Sequence, residues 1–140
     1  MNKIKFFVDT ICQACSQMRI EQPLLWKDNR LGKNYVASVL EGHYVTTDRK
    51  RQVMRYNAKL IKQMPKPDII HAVLHELGHI KTKYKTKIEA EYKAEKFALK
   101  AMKKYYPRHY QRAIKYLKQA QYFNNSIYRK AFKKLVKELK

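Results

Sequence analysis

At 140 residues the chain is long enough for one domain with a hydrophobic core of its own. Apolar residues at 45% exclude a disordered polymer, and only three Gly and four Pro argue against a loop-rich all-β design and for helices. A formal net charge of +21 favours an anionic neighbour, whether nucleic acid, membrane surface or acidic protein.

Residues 3–19 place Ile4, Phe7, Val8, Ile11, Ala14, Cys15 and Met18 at helical spacing, which predicts an amphipathic first helix. Its Cys12 and Cys15 form a C-x-x-C pair with no second pair to complete a zinc knuckle. A redox pair belongs at a strand–helix junction, so these read as buried or half-buried thiols. The opening Met-Asn-Lys-Ile-Lys-Phe-Phe-Val begins like a signal peptide, but Asp9 breaks it and no cleavage site follows. No run approaches the roughly 20 apolar residues of a membrane span. A soluble, cytoplasmic protein is expected.

Pro23 and the mixed stretch Trp26 to Gly32 read as a connection. Asn34–Leu40 then reads as a strand, Glu41-Gly42 as a turn and His43–Thr47 as a second strand. After the charged loop Asp48–Arg51, Gln52–Asn57 reads as a third. The expected fold is therefore α+β: mostly helical, with a small three-stranded antiparallel sheet ahead of the motif described next. An edge strand of such a sheet can pair with an extended peptide.

Lys66-Pro67-Asp68 makes a sound helix start, with Pro in the first turn and Asp near the positive helix end. The helix should run to about Lys81. Within it, His75-Glu76-Leu77-Gly78-His79 spells H-E-x-x-H. Histidines four apart project from one helix face, one turn apart, and can share a zinc ion at a Zn–N distance of about 2 Å. Glu76 is then placed to take a proton from a water on that metal. With five His in the chain, chance supplies this pentapeptide on the order of once in a hundred shuffled sequences. Context strengthens it: the preceding Ile69-Ile70-His71-Ala72-Val73-Leu74 suits a buried helix. Gly78 costs about 1 kcal/mol against Ala inside a helix, which makes sense if another helix must come close.

Thr86-Lys-Ile-Glu89 is a capping-box pattern opening a helix from Lys87 to Tyr106, which Pro107 stops. A further helix is expected over Arg108–Phe123, with Ala113, Ile114, Leu117 and Ala120 as its apolar stripe. Asn124-Asn125-Ser126 breaks the chain and supplies an N-cap, and Ile127–Lys140 is a last amphipathic helix. Residues 81–140 carry 19 Lys or Arg against four Glu, so +15 of the total +21 lies there. The whole is expected to be one domain, 1–140, with a basic helical part over about 108–140.

A catalytic zinc needs a third protein ligand and an open position for water. The helix after the motif offers Glu89, Glu91 and Glu95, of which Glu91 and Glu95 share a face. This arrangement resembles the gluzincins, whose H-E-x-x-H helix is followed by E-x-x-x-D/E on a second helix. Glu91-Tyr-Lys-Ala94-Glu95-Lys-Phe97-Ala98 is similar to the E-x-x-A-N/D-x-F-A stretch of ImmA/IrrE-type metallopeptidases, and the soluble minigluzincins are nearly as close. The likeness covers His71 to Met102 and not the basic tail. It implies a zincin-like domain holding Zn2+ on His75, His79 and Glu91, with Glu76 as general base and later proton donor. Glu95 would accept the free ring N–H of a ligand histidine. Two departures stand out: Glu95 replaces the usual Asn or Asp, and the Leu-Leu-Met-Pro ending is absent.

Each residue also has a plainer reading. Glu91 suits a solvated helix residue paired with Lys87 or Lys96, and Glu89, the fallback ligand, is explained by its capping role. His71 reads as a core or cleft histidine, and His43 and His109 as single surface or hydrogen-bonded ones. His109 or Tyr84 could stabilise an oxyanion.

The expected function is that of a zinc metallopeptidase acting on a protein or peptide; a further reading, implied by the resemblance alone, is a regulatory protease that cuts one partner as ImmA-like proteins do. The alternative is nucleic-acid binding. Lys and Arg interleaved with Tyr105, Tyr106, Tyr110, Tyr116, Tyr122 and Tyr128 suit phosphates and bases, and suit equally a solvated basic face over packed tyrosines. A protease working on nucleic-acid-bound proteins would combine both, although the SprT/Spartan-like proteases of that kind use a third histidine.

Overall fold

A computed structural model describes residues 2–28, 37–46 and 49–139, with the backbone alone for 38–46 and 49–51. Among these residues the order is α1 (Lys3–Met18), β1 (Leu24–Lys27), β2 (Ala37–Thr46), β3 (Arg49–Tyr56), α2 (Ala58–Gln63) and α3 (Lys66–Lys81). There follow α4 (Lys87–Tyr105), a 3-10 turn at Pro107–His109, α5 (Tyr110–Ala120) and α6 (Ser126–Glu138). The chain is mostly helical, and an α+β class is compatible with it. Its contacts gather into two compact units, Met1–Glu76 and Leu77–Lys140, and α3 runs unbroken through the boundary residue.

In the first unit α1 forms where the spacing predicts. Asn2 caps it by accepting from Lys5 N–H at 3.0 Å, and Arg19 ends it in the left-handed region at φ 54. Its inward face is Phe7, Thr10, Ile11, Ala14 and Cys15. Cys12 is exposed, so only one of the two thiols is buried as expected. Burial, with a smaller push from nearby Cys12, raises the Cys15 thiol pKa to about 11, which suits a packing group.

The sheet corrects the expected antiparallel meander. Its order is β1-β3-β2, with β2 and β3 antiparallel but β1 parallel to β3, Leu24 opposite Val53 and Lys27 opposite Tyr56. The parallel strand lies in the stretch that reads as a connection. Leu24–Lys27 is too short to show a period, and its partner is far along the chain, so local pattern carries no sign of the pairing. Asp28 N–H extends that pairing to Tyr56 C=O at 2.8 Å, and Arg55 reaches the buried Asp28 carboxylate at 3.4 Å. The two strands expected around Glu41-Gly42 are one strand, β2, with an irregular register between Leu40 and His43. Arg49–Arg51 of the expected loop belongs to β3. Residues 34–36 and 47–48 of the expected elements lie outside the described residues.

Helix α2 was not legible as a periodic segment, being only six residues, yet its start signal is present: Asn57 accepts from Leu60 N–H at 3.1 Å. Phe7, Ile11, Met54, Ile61, Ile69 and Val73 are all fully buried in this unit. Phe7 meets the Tyr56 ring at 5.3 Å.

In the second unit Thr86 caps α4 by accepting from Glu89 N–H at 3.1 Å, and α4 buries a stripe of small residues, Ala90, Ala94, Ala98 and Ala101. A stripe without bulk lets neighbouring helices approach closely. Helix α5 buries Ala113, Leu117 and Ala120 as its pattern predicts, with Ile114 half-buried, and ends at Ala120 rather than Phe123. Asn125 starts α6, accepting from Ile127 and Tyr128 N–H groups, and Ala131, Phe132, Leu135 and Val136 turn inward. Helices α4, α5 and α6 contact one another pairwise. Among the described residues no helix is long and apolar enough to cross a membrane.

Candidate metal centre

The three motif residues sit on α3, and helical geometry does the assembly. His75, Glu76 and His79 each offer a ligand-type atom, and these atoms lie within 4.8 Å of one another. Glu76 is buried at 7% exposure, while the two histidines are half-buried. A carboxylate so far out of water interacts with its neighbours through little screening.

Glu91 comes to this group through His79. Its Oε1 lies 3.3 Å from His79 Nε2, and both side chains are largely covered, at 14% and 16% exposure. Two ligand atoms at about 2.0–2.1 Å on a tetrahedral zinc stand about 3.3 Å apart. A direct N–H to carboxylate hydrogen bond prefers roughly 2.7–2.9 Å. Glu91 thus meets His79, while the group whose ligand atoms all lie within 4.8 Å of one another is His75, Glu76 and His79 and does not include Glu91. Lys96, read from sequence with Lys87 as a plainer partner for Glu91, reaches Tyr92 and Glu138.

Two features fix Glu91 relative to His79. The first is Gly78, where an added Cβ would lie 2.7 Å from Ala94 C=O and 2.9 Å from Ala94 Cα. Only glycine admits this approach, because both obstacles are backbone atoms. The close helix contact that Gly78 suggests in the sequence is thus made by α4, three residues from Glu91. The second is the link between α3 and α4. Thr82 donates its hydroxyl to Gly78 C=O at 2.7 Å, Lys93 reaches Lys83 C=O, and Lys93 also pairs with Glu89 at 2.7 Å.

Glu89 is occupied in that link. Its carboxylate accepts from Lys85 N–H at 3.3 Å, and the Lys93 bond, then the Lys85 one, hold its pKa below the ordinary glutamate value. Glu89 sits at the entrance of α4 as the capping pattern expects, though its carboxylate takes Lys85 N–H in place of Thr86 N–H. Glu95 is buried at 1% exposure and is not without a partner. His71, one turn before His75, is buried at 9% and falls outside the metal-capable group. His109 sits in the 3-10 turn, half-buried. His43 belongs to β2, where its side chain is outside the described set. Tyr84 is distinguished by place: its ring meets the His79 ring edge-on at 6.4 Å.

One cluster beside the site had little sequence signal. Tyr92, the residue after Glu91, donates its hydroxyl to the Glu138 carboxylate at 2.6 Å, with Lys134 over its ring at 4.3 Å and Lys96 at 5.4 Å. Burial and then the Glu138 bond raise the Tyr92 pKa, and the same bond lowers that of Glu138. The available hint was that Glu138 is the sole acid after Glu95.

Comparison with known protein families, curated proteins and solved structures returns no match.

Proposed function

We propose that the chain is a zinc-dependent peptidase of gluzincin type, with His75, His79 and Glu91 as the metal ligands. The observation that carries this reading is the 3.3 Å spacing of His79 and Glu91 beside the His75–Glu76–His79 group. Two imidazoles and a carboxylate are a donor set that zinc accepts in hydrolases. Bound zinc would bring the pKa of a coordinated water to about 7 and polarise a scissile carbonyl.

The protein's own groups do the rest. Glu76 takes the proton of the attacking water and delivers it to the leaving amine, a task that favours a carboxylate held in a covered position. Glu95 accepts the second ring N–H of a ligand histidine and so fixes its tautomer. Tyr84, beside His79, donates its hydroxyl to the oxyanion that develops on the carbonyl. The substrate is a protein or peptide.

Metal analysis and peptide hydrolysis test this directly. Protein purified without chelators should carry one zinc per chain, lost in His75→Ala, His79→Ala and Glu91→Gln. Glu76→Gln should keep the zinc and fail to cleave a proteome-derived peptide library. Less than one zinc, unaffected by His75→Ala, or full cleavage by Glu76→Gln, would overturn the reading. Tyr84→Phe should lower kcat by about 100-fold with zinc content unchanged.

A further inference from the structure

The tyrosines of the basic half fall into two groups. Tyr105, Tyr106, Tyr110 and Tyr128 are half-buried, with Lys104 over Tyr105 at 5.2 Å and Lys103 over Tyr110 at 5.6 Å. These act as packing and as seats for lysines. Tyr116, Tyr122 and Phe123, at the end of α5 and just beyond it, are 44%, 72% and 39% exposed. Tyr116 and Phe123 meet edge-on with ring centres 6.0 Å apart, so these two exposed rings are neighbours. Tyr122, next to Phe123 in the chain, is the most exposed of the three, so large rings are left in water at this end of α5.

The helices on this side of the chain are cationic. Lys115 and Lys118 are exposed on the same helix, and Lys130, Lys133 and Lys137 are exposed on α6, which packs against α5. Residues 96–140 contain 14 Lys or Arg and a single acid, Glu138, which is held by Tyr92 and Lys96. The local carboxylates therefore leave this positive field largely unneutralised.

We infer that the Tyr116–Tyr122–Phe123 cluster and the lysines around it form a binding surface for single-stranded nucleic acid. Bases stack on the ring faces while Lys115 and Lys118 contact the phosphates. A duplex keeps its base faces stacked inside and has nothing to offer the rings. An anionic membrane offers the same negative charge but no base faces for the rings to stack on, and the apolar stripe of α5, Ala113, Leu117 and Ala120, is already buried. This surface owes nothing to the metal site, and Glu76→Gln should bind as the parent does.

Fluorescence anisotropy with a labelled dT20 oligonucleotide, a duplex of equal length and phosphatidylserine vesicles tests the assignment. The full chain should bind dT20 at low salt more tightly than duplex or vesicles, with log affinity falling linearly in log salt. Tyr122→Ala, at a site too exposed to threaten the fold, should weaken dT20 binding about tenfold and leave duplex binding unchanged. Tyr122→Phe should restore it, and Lys115→Gln with Lys118→Gln should flatten the salt slope. No dT20 binding at low salt, equal affinity for duplex with Tyr122→Ala indifferent, or preference for the vesicles would each overturn the inference.

Discussion

Gly78 decides more than its size suggests. Inside a helix, Gly→Ala ordinarily stabilises by about 1 kcal/mol. Here the new methyl would drive into Ala94 backbone, which has no rotamer to yield. Overpacking of that kind costs roughly 1–3 kcal/mol, so Gly78→Ala should destabilise on balance, and denaturant titration gives the sign. Because the displaced helix carries Glu91, zinc content should fall with it under the proposed ligand set. At this scale the sequence was most informative where one residue type has one physical reason to be present. His75, Glu76 and His79 are close because a helix places them so, and Gly78 announced a tight contact without naming its partner. It said nothing of Tyr92, whose partner Glu138 lies 46 residues away, because no local spacing encodes such a contact.

The helices are specified largely by their starts. Asn2, Asn57, Thr86 and Asn125 each accept backbone N–H bonds at a helix entrance; α1 was readable from its period, α4 from its capping box and α6 from both. The exceptions were short. Helix α2 and strand β1, six and four residues long, are too brief for periodicity, and β1 is placed by a parallel partner nearly thirty positions on. Strand β2 stands at one end of the sheet order among the described residues. The link between α4 and α6 has a pH window. The Glu138 pKa is lowered in the folded chain, chiefly by the Tyr92 hydroxyl, so its contribution is complete above the ordinary glutamate value of 4.5 and is lost as pH falls through the lower folded value. The Tyr92 pKa is raised, so its contribution is complete below the ordinary value of 10 and is lost as pH rises through the folded one. Thermal melts from pH 7 to 3 should therefore show a shallower acid loss in Glu138→Gln than in the parent. Parallel curves would remove the link as a source of acid sensitivity.

Across the molecule, charge is divided unevenly: residues 77–140 hold 19 Lys or Arg and four Glu, a net +15 of the +21. Like charges at that density oppose compaction, and salt screens them over a Debye length of about 8–10 Å. The melting temperature should rise by a few degrees between 20 and 300 mM NaCl; a flat or falling trend would show that repulsion does not limit stability. Composition alone made this asymmetry visible, but not which aromatics face water, since Tyr110 and Tyr122 look alike in a list of residues and differ only once α5 has packed.

The contact of Gly78 with Ala94 also bears on descent. A distant relative could exchange nearly every lysine and lengthen any loop, yet a larger residue at either position would have to be matched by moving a whole helix. The register of Gly78 against Ala94 is therefore where this pair of helices has least room for a larger side chain.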